Sequence, residues 1–261
     1  MAALIRFELR KLLQNKALYI CLGIVLFLLI INTVTVKVMD DLMAEEMAAA
    51  YEAAGIKYES SFSALSLLKA TFNNNTAIVE GVIVALIVCE DFTGDVIKNI
   101  YSKGYSRGQV YFSKMLSSFI GFFGIYLIGT IVSFILGVIL SGKIGSVGQN
   151  FAGSLVGIVL LVLTYFTIYY AISSIFKKTA PAIVLSILGP TGMAILLLLL
   201  DAFINSEKVS LSDYWISGLM TNLSLVDVET KWIISSIIVS VILIAGFTCL
   251  SFFLNRRKDV K

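Results

Sequence analysis

The chain has 261 residues, 58% hydrophobic and 14% charged, with a formal net charge of +3 and no histidine. Soluble domains carry roughly 25% charged residues, so this much apolar surface excludes a purely aqueous fold, and part of the solvent must be lipid. Without histidine the chain lacks the commonest metal ligand and general base, which excludes metalloproteases of the His-Glu-x-x-His type.

Six apolar runs read as membrane spans: 17–36, 76–90, 112–140, 151–176, 182–204 and 231–254. About 20 residues cross a hydrocarbon core of roughly 30 Å. Ahead of them, residues 1–16 pattern as an amphipathic helix lying in the membrane interface. Ile5, Leu9, Leu12 and Leu13 fall on one face, and Arg6, Arg10, Lys11 and Gln14 on the other. The first run is too long for the apolar region of a signal peptide and reads as a retained anchor. The segment 37–70 is the longest outer loop. Within it "AEEMAAAYEAAG" has strong helix formers and a Gly stop, predicting a short outer helix.

The second span is interrupted by Glu80 and preceded by Asn73, Asn74 and Asn75. Glu80 lies ten residues before Glu90, about 15 Å deeper along a helix. A carboxylate at that depth costs at least roughly 2–3 kcal/mol, so it faces protein or water. It is either a pathway residue, contacting cationic cargo or gating, or one half of an interhelical hydrogen bond within the dimer. Asn74 and Asn75 either line the same pathway or cap the helix.

Between the second and third spans lies "CEDFTGDVIKNIYSKGYSRGQVYFSKM", residues 89–115. Asp91 or Thr93 can cap a helix start, Gly104 can end it, and Ser106 and Gln109 have capping-box spacing for a second helix. The pattern is helix, tight break, helix: a compact polar knob over 90–114. Its apolar stripe and basic flanks suit either anionic lipid or a groove on a partner protein. Glu90, Asp91 and the glycines favour the groove.

Further along, Gly137, Gly142 and Lys143 imitate a phosphate-binding loop, but Ile144 stands where Ser or Thr is needed. Tyr165, Phe166, Tyr169 and Tyr170 form an aromatic patch on the fourth span, for packing, lipid or cargo. Pro190, in "GPTG", removes a backbone donor and predicts a kink in the fifth span. Asp201 ends that span's apolar run. Residues 205–230 are too apolar for a plain loop and predict a partly inserted helical hairpin. With the N-terminus placed inside, fourteen of the 20 Lys and Arg fall on the inner side and six on the outer. That bias puts both termini in the cytoplasm. Cys21, Cys89 and Cys249 all lie in or at the end of apolar runs and suggest neither a disulfide framework nor zinc.

The 89–115 stretch resembles the segment after the second membrane helix in type-2 ABC exporter permeases of the bacitracin- and lantibiotic-immunity branch. There an acidic residue precedes a Gly and Ile-Lys-Asn, then a Ser-x-Gly-x-Ser-Arg turn and a Ser-Lys pair. Here these are Glu90, Gly94, Ile97, Lys98, Asn99, Ser102, Gly104, Ser106, Arg107, Ser113 and Lys114. Asp95 departs from the pattern, where Thr is more usual. The resemblance implies an all-α, polytopic permease domain spanning 1–261, with six transmembrane helices, in a bacterial cytoplasmic membrane. It also implies a separate ABC ATPase carrying ATP and magnesium, and a second permease chain, identical or paralogous. The cargo it implies is an amphipathic peptide, antibiotic or drug; no nucleic acid is involved.

Glu90, Asp91, Gly94, Ile97, Lys98, Tyr101, Gly104 and Arg107 would then form the coupling helix that the ATPase grips. Arg107 and Lys114 would pair with its acids or anchor to lipid phosphates. This chain itself would carry no cofactor, metal or catalytic residue. Two rivals stand beside this reading: an ion-coupled transporter or channel with Glu80 as ion site, and a non-transporting membrane anchor subunit.

Overall fold

Long apolar runs bounded by Ser, Asn and Gly become long helices, because backbone polar groups in lipid can be satisfied only within the chain. The computed structural model describes residues 2–53, 62–71, 74–93, 96–204 and 210–257. The helices are α1 (Ala2–Gln14), α2 (Lys16–Ala53), α3 (Ala64–Ala70), α4 (Asn74–Thr93), α5 (Val96–Ser102) and α6 (Arg107–Ser141). They continue with α7 (Phe151–Phe176), α8 (Thr179–Ile204), a 3-10 turn (Ser212–Tyr214), α9 (Ile216–Ser224) and α10 (Thr230–Arg257). Among the described residues there is no strand.

Among the described residues, five helices are long and apolar enough to cross a membrane: α2 over Lys16–Ala44, α6, α7, α8, and α10 over Thr230–Arg256. The run 76–90 falls in α4, outside those five, which packs among α2, α6, α7 and α8. The centre is α7, against which α4, α8, α9 and α10 pack. Leu161, Val162, Tyr165, Phe166, Tyr169 and Tyr170 are buried there, so the aromatic patch is a packing core and does not face lipid. Other helices turn apolar side chains outward, such as Phe27 and Ile31 on α2, Leu199 and Phe203 on α8, and Val241 and Ile242 on α10. Such flanks suit lipid contact.

Between the helices the chain uses small polar residues. Ser113, Ser117, Ser154, Ser173 and Ser236 are buried, and their hydroxyls donate to carbonyls three or four residues back on their own helices. Each hydroxyl is thereby satisfied without a cross-helix partner, and the small side chain lets helices approach closely.

Several expectations change on the structure. The predicted short outer helix is the continuation of α2, which runs unbroken for 38 residues to Ala53. At 1.5 Å per residue it is about 57 Å long, well beyond a hydrocarbon core. Its strong helix formers extend an existing helix, which requires no new nucleation; the Gly stop lies outside the described residues.

In α1 the buried face carries Leu4, Glu8 and Leu12, spaced i, i+4, i+8, while Leu13 is 61% exposed. The packed stripe is thus rotated from the expected Ile5, Leu9, Leu12 and Leu13, because α6 supplies its neighbours. The helix α8 passes through Pro190 without interruption; the Thr191 hydroxyl donates to the Ile187 carbonyl at 2.7 Å, and Trp215 Nε1 to the Pro190 carbonyl at 3.3 Å.

At the end of the bundle remote from α5, short segments knit into a cap. Asp201 accepts from Ser210 Oγ, Leu211 N and Ser212 N at 2.7–2.8 Å. In place of a loop, α9 buries Ile216, Leu219, Met220 and Leu223. Lys69, buried on α3, donates to the Leu225 carbonyl at 2.8 Å and lies over the Phe151 ring. Burial pulls its ammonium below the usual lysine range, and Asp227 opposes that shift.

Candidate functional site

The knob is built as the sequence spacing predicts on its α6 side. Ser106 Oγ accepts from Gln109 N, and Gln109 Oε1 accepts from Ser106 N, a closed capping box that starts α6. Gly104 takes φ +85°, a conformation that only glycine adopts without strain, and its N–H donates to the Tyr101 carbonyl at 2.9 Å. The chain therefore leaves α5, turns at once and enters α6.

The inner side of the knob is held by a small apolar cluster of Leu4 from α1, Ile100 from α5 and Val110 from α6, with Tyr101 and Tyr105 partly buried against it. Tyr101 thus has a structural task, and burial raises its phenol above the usual tyrosine range. The outer side presents Asn99, Ser102, Lys103 and Gly104, all exposed. Arg107 is exposed and its Nη1 donates to the Arg256 carbonyl at 2.9 Å, joining the starts and ends of α6 and α10. Asp91, Ile97 and Lys98 lie in helical backbone, but their side chains, like Gly94 as a whole, are outside the described residues.

Two predicted knob residues are engaged within the chain, Glu90 while still exposed and Lys114 buried. Glu90 Oε2 accepts from Asn15 Nδ2 at 2.6 Å. Asn15 Oδ1 in turn accepts from Ala17 N at 2.8 Å, so one side chain caps α2, breaks it from α1 and grips the end of α4. Lys114 is only 4% exposed and sits over the Phe92 ring, so it reaches neither a partner's acids nor lipid phosphates. Glu8, Lys11, Asn15, Glu90 and Lys114 enclose a cavity of about 20 Å³ where α1 meets α4 and α6. Burial holds the Lys11 ammonium below the usual lysine range, against the opposing pull of Glu90 and Glu8. Nothing in the sequence reading marked Asn15 or Glu8. The available signal was Glu8 at i+4 between Leu4 and Leu12, an acid on an apolar stripe.

A larger cavity, about 430 Å³, opens beside the knob between the ends of α4, α7 and α10 and the start of α6; its lining includes Phe92, Tyr101, Arg107, Tyr111, Lys177 and Phe252. Beneath it Tyr170 Oη donates to the Tyr111 carbonyl at 3.0 Å, and Tyr111 Oη hydrogen-bonds Ser251 Oγ. These bonds tie α6, α7 and α10 directly under the knob.

Deeper in the bundle, Glu80 is 2% exposed and neither carboxyl oxygen has a hydrogen-bond partner. Within this chain it therefore makes no interhelical hydrogen bond. Leaving such a group unsatisfied costs roughly 1–3 kcal/mol or more. Tyr169 reaches the adjoining turn of α4, and Tyr165 stacks on Tyr169 with ring centroids 5.8 Å apart. Next to Glu80, a Cβ on Gly81 would stand 3.0 Å from both Tyr169 Cε1 and Ser186 Cβ, so α4 meets α7 and α8 at contact distance there. The side chains of Asn74 and Asn75, at the start of α4, are outside the described residues. The sequence had marked Glu80, Tyr165 and Tyr169, but nothing in the spacing joined them, since they come from two helices far apart in the chain.

With this geometry in hand, the comparisons with known proteins are brief. The family model described as ABC-2 family transporter protein matches residues 4–191, covering α1 through most of α8. No curated protein and no solved structure gives a match.

Proposed function

The chain belongs to the ABC-2 family of transporter proteins, and on that footing we propose that it is the permease of an ATP-driven exporter in a bacterial cytoplasmic membrane. Its cargo is an amphipathic peptide, antibiotic or drug, as in the bacitracin- and lantibiotic-immunity branch. ATP and magnesium bind to a separate ATPase subunit. Two permease chains, identical or paralogous, form the pathway.

The observation that carries this reading is the knob. A seven-residue helix, α5, stands between α4 and α6. Its inner side is anchored by Leu4, Ile100 and Val110, and among the described residues Asn99, Ser102 and Lys103 stand exposed on its outer side. That is what a coupling helix needs: a rigid base and an accessible crest. Here α5 transmits force to α4 and α6 together, and α1, joined to α4 through Asn15 and Glu90, moves with them.

Six spans with both termini in the cytoplasm complete the proposal. Leu4 packs on Ile100 and Val110, and Arg107 bonds the Arg256 carbonyl, so the two ends of the chain meet at one end of the bundle. An even number of crossings accounts for that, with α4 as the sixth. At 20 residues α4 has the length, about 30 Å.

Gentle purification of the tagged chain from its native membrane tests the reading. An ATP-hydrolysing subunit in stoichiometric amount is the expected result. A folded chain with no such subunit, under conditions that keep ABC complexes intact, would overturn it.

A further inference from the structure

We propose that Glu80, with Tyr165 and Tyr169 on the adjoining face of α7, is a cation-accepting subsite on the transport path, built for the ammonium or guanidinium group of an amphipathic cargo. The inference deepens the exporter reading and rests on it for the existence of a path, but not for the chemistry of the site.

Three observations converge. First, both oxygens of Glu80 are buried without a partner, and the Ser186 hydroxyl on α8 is likewise buried and unpaired. An unsatisfied acid in a membrane interior works against the fold, and a group that pairs with it removes that cost. Second, the adjoining face of α7 is aromatic. Tyr169 lies against Gly81, the next residue, and Tyr165 stacks on it with ring centroids 5.8 Å apart. Ring faces attract cations, and an ammonium brings three donors to a carboxylate that has none. Third, Cys21, Val25 and Leu29 of α2 pack with Ile83 on α4, so an apolar wall flanks the site.

The chemistry also selects among cations. Among the described residues no cluster of three or more Asp, Glu or Cys stands here to hold a hard metal ion. An organic cation attached to an apolar body fits both the acid and the rings.

In this state the subsite is closed, with Tyr169 and Ser186 held against Gly81. Opening it requires α4 to part from α7 and α8. Glu80 and the entry to α5 lie on one continuous helix, Asn74–Thr93. A displacement of the knob is therefore a displacement of Glu80.

The test uses the full chain in lipid nanodiscs, with whatever subunits accompany it, and two fluorescent probes that differ only in charge: dansylcadaverine and its N-acetylated form. Wild type should bind the amine about tenfold more tightly than the neutral amide. Glu80→Gln, which keeps the shape and removes the charge, should bind the two equally, with an unchanged or higher thermal midpoint. Glu80→Asp should retain part of the preference, and it decides the matter if the Gln variant does not fold. Equal binding of the two probes by wild type, or full amine preference in Glu80→Gln, would overturn the subsite. Absence of a co-purifying ATPase would overturn the exporter reading and leave this measurement intact, since probe binding needs only this chain.

Discussion

Ser102→Trp combined with Lys103→Glu should strip the ATPase from the purified permease and leave the permease folded. Both residues are exposed at the crest of the knob. The Ser102 hydroxyl bonds only the Asn99 carbonyl of its own helix, at 2.9 Å. Neither side chain belongs to the Leu4–Ile100–Val110 cluster that holds α5 in place. A Trp ring there blocks any groove shaped for serine, and the charge reversal repels acids placed to meet Lys103. Disrupting the centre of an interface in this way costs at least about 2 kcal/mol, roughly thirtyfold in affinity. The readouts are the ATPase-to-permease ratio after purification and the thermal midpoint of the permease. Loss of the first with the second unchanged is the expected pattern. Retention of the ATPase by the double variant would remove the knob from the coupling interface.

The second large effect concerns stability. Tyr170→Ala should destabilise the bundle by about 3–5 kcal/mol, the range for truncating a large buried aromatic. Tyr170 is 2% exposed, packs edge-on against Tyr111 at 5.4 Å and stacks on Phe166 at 5.9 Å. Its hydroxyl holds the Tyr111 carbonyl. Truncation opens a void where α6, α7 and α10 meet and removes that bond. Tyr170→Phe keeps the ring and should lose only about 1 kcal/mol, the net worth of one hydrogen bond. Unfolding titrations in mixed micelles measure both. A Tyr170→Ala variant within 1 kcal/mol of wild type would show that the void collapses and that these helices are held elsewhere.

Much of the fold was legible because its strongest signals are local. The run 151–176 became α7 over the same residues, since Asn150 and Lys177 bound an uninterrupted apolar stretch. Ser106 and Gln109 announced the start of α6 by spacing alone, and Gly104 announced the turn before it. What stayed hidden depends on neighbours distant in sequence. The face α1 buries is chosen by α6, and that choice puts Glu8 inside and Leu13 outside. Whether 205–230 inserts or covers the bundle is decided by the surfaces of α7 and α10, against which α9 packs. Lys114 looked like a basic flank because periodicity does not reveal that Phe92 stacks over it.

The candidate site divides in the same way. Its crest was readable from turn chemistry. Its base was not, because Glu90 reads as an exposed coupling acid until Asn15, 75 residues earlier, is brought against it. Glu80 stood out as a costly acid in an apolar run, but its environment comes from α7 and α8 together.

The central claim is that the crest of α5 is where an ATPase grips this chain. Photo-crosslinking from that crest tests it most directly. With p-benzoylphenylalanine in place of Lys103, illumination in native membranes should yield one protein adduct, to an ATP-binding subunit, with a yield that changes when ATP is trapped in its site. Adducts to lipid alone, with the chain folded and in its membrane, would contradict the account.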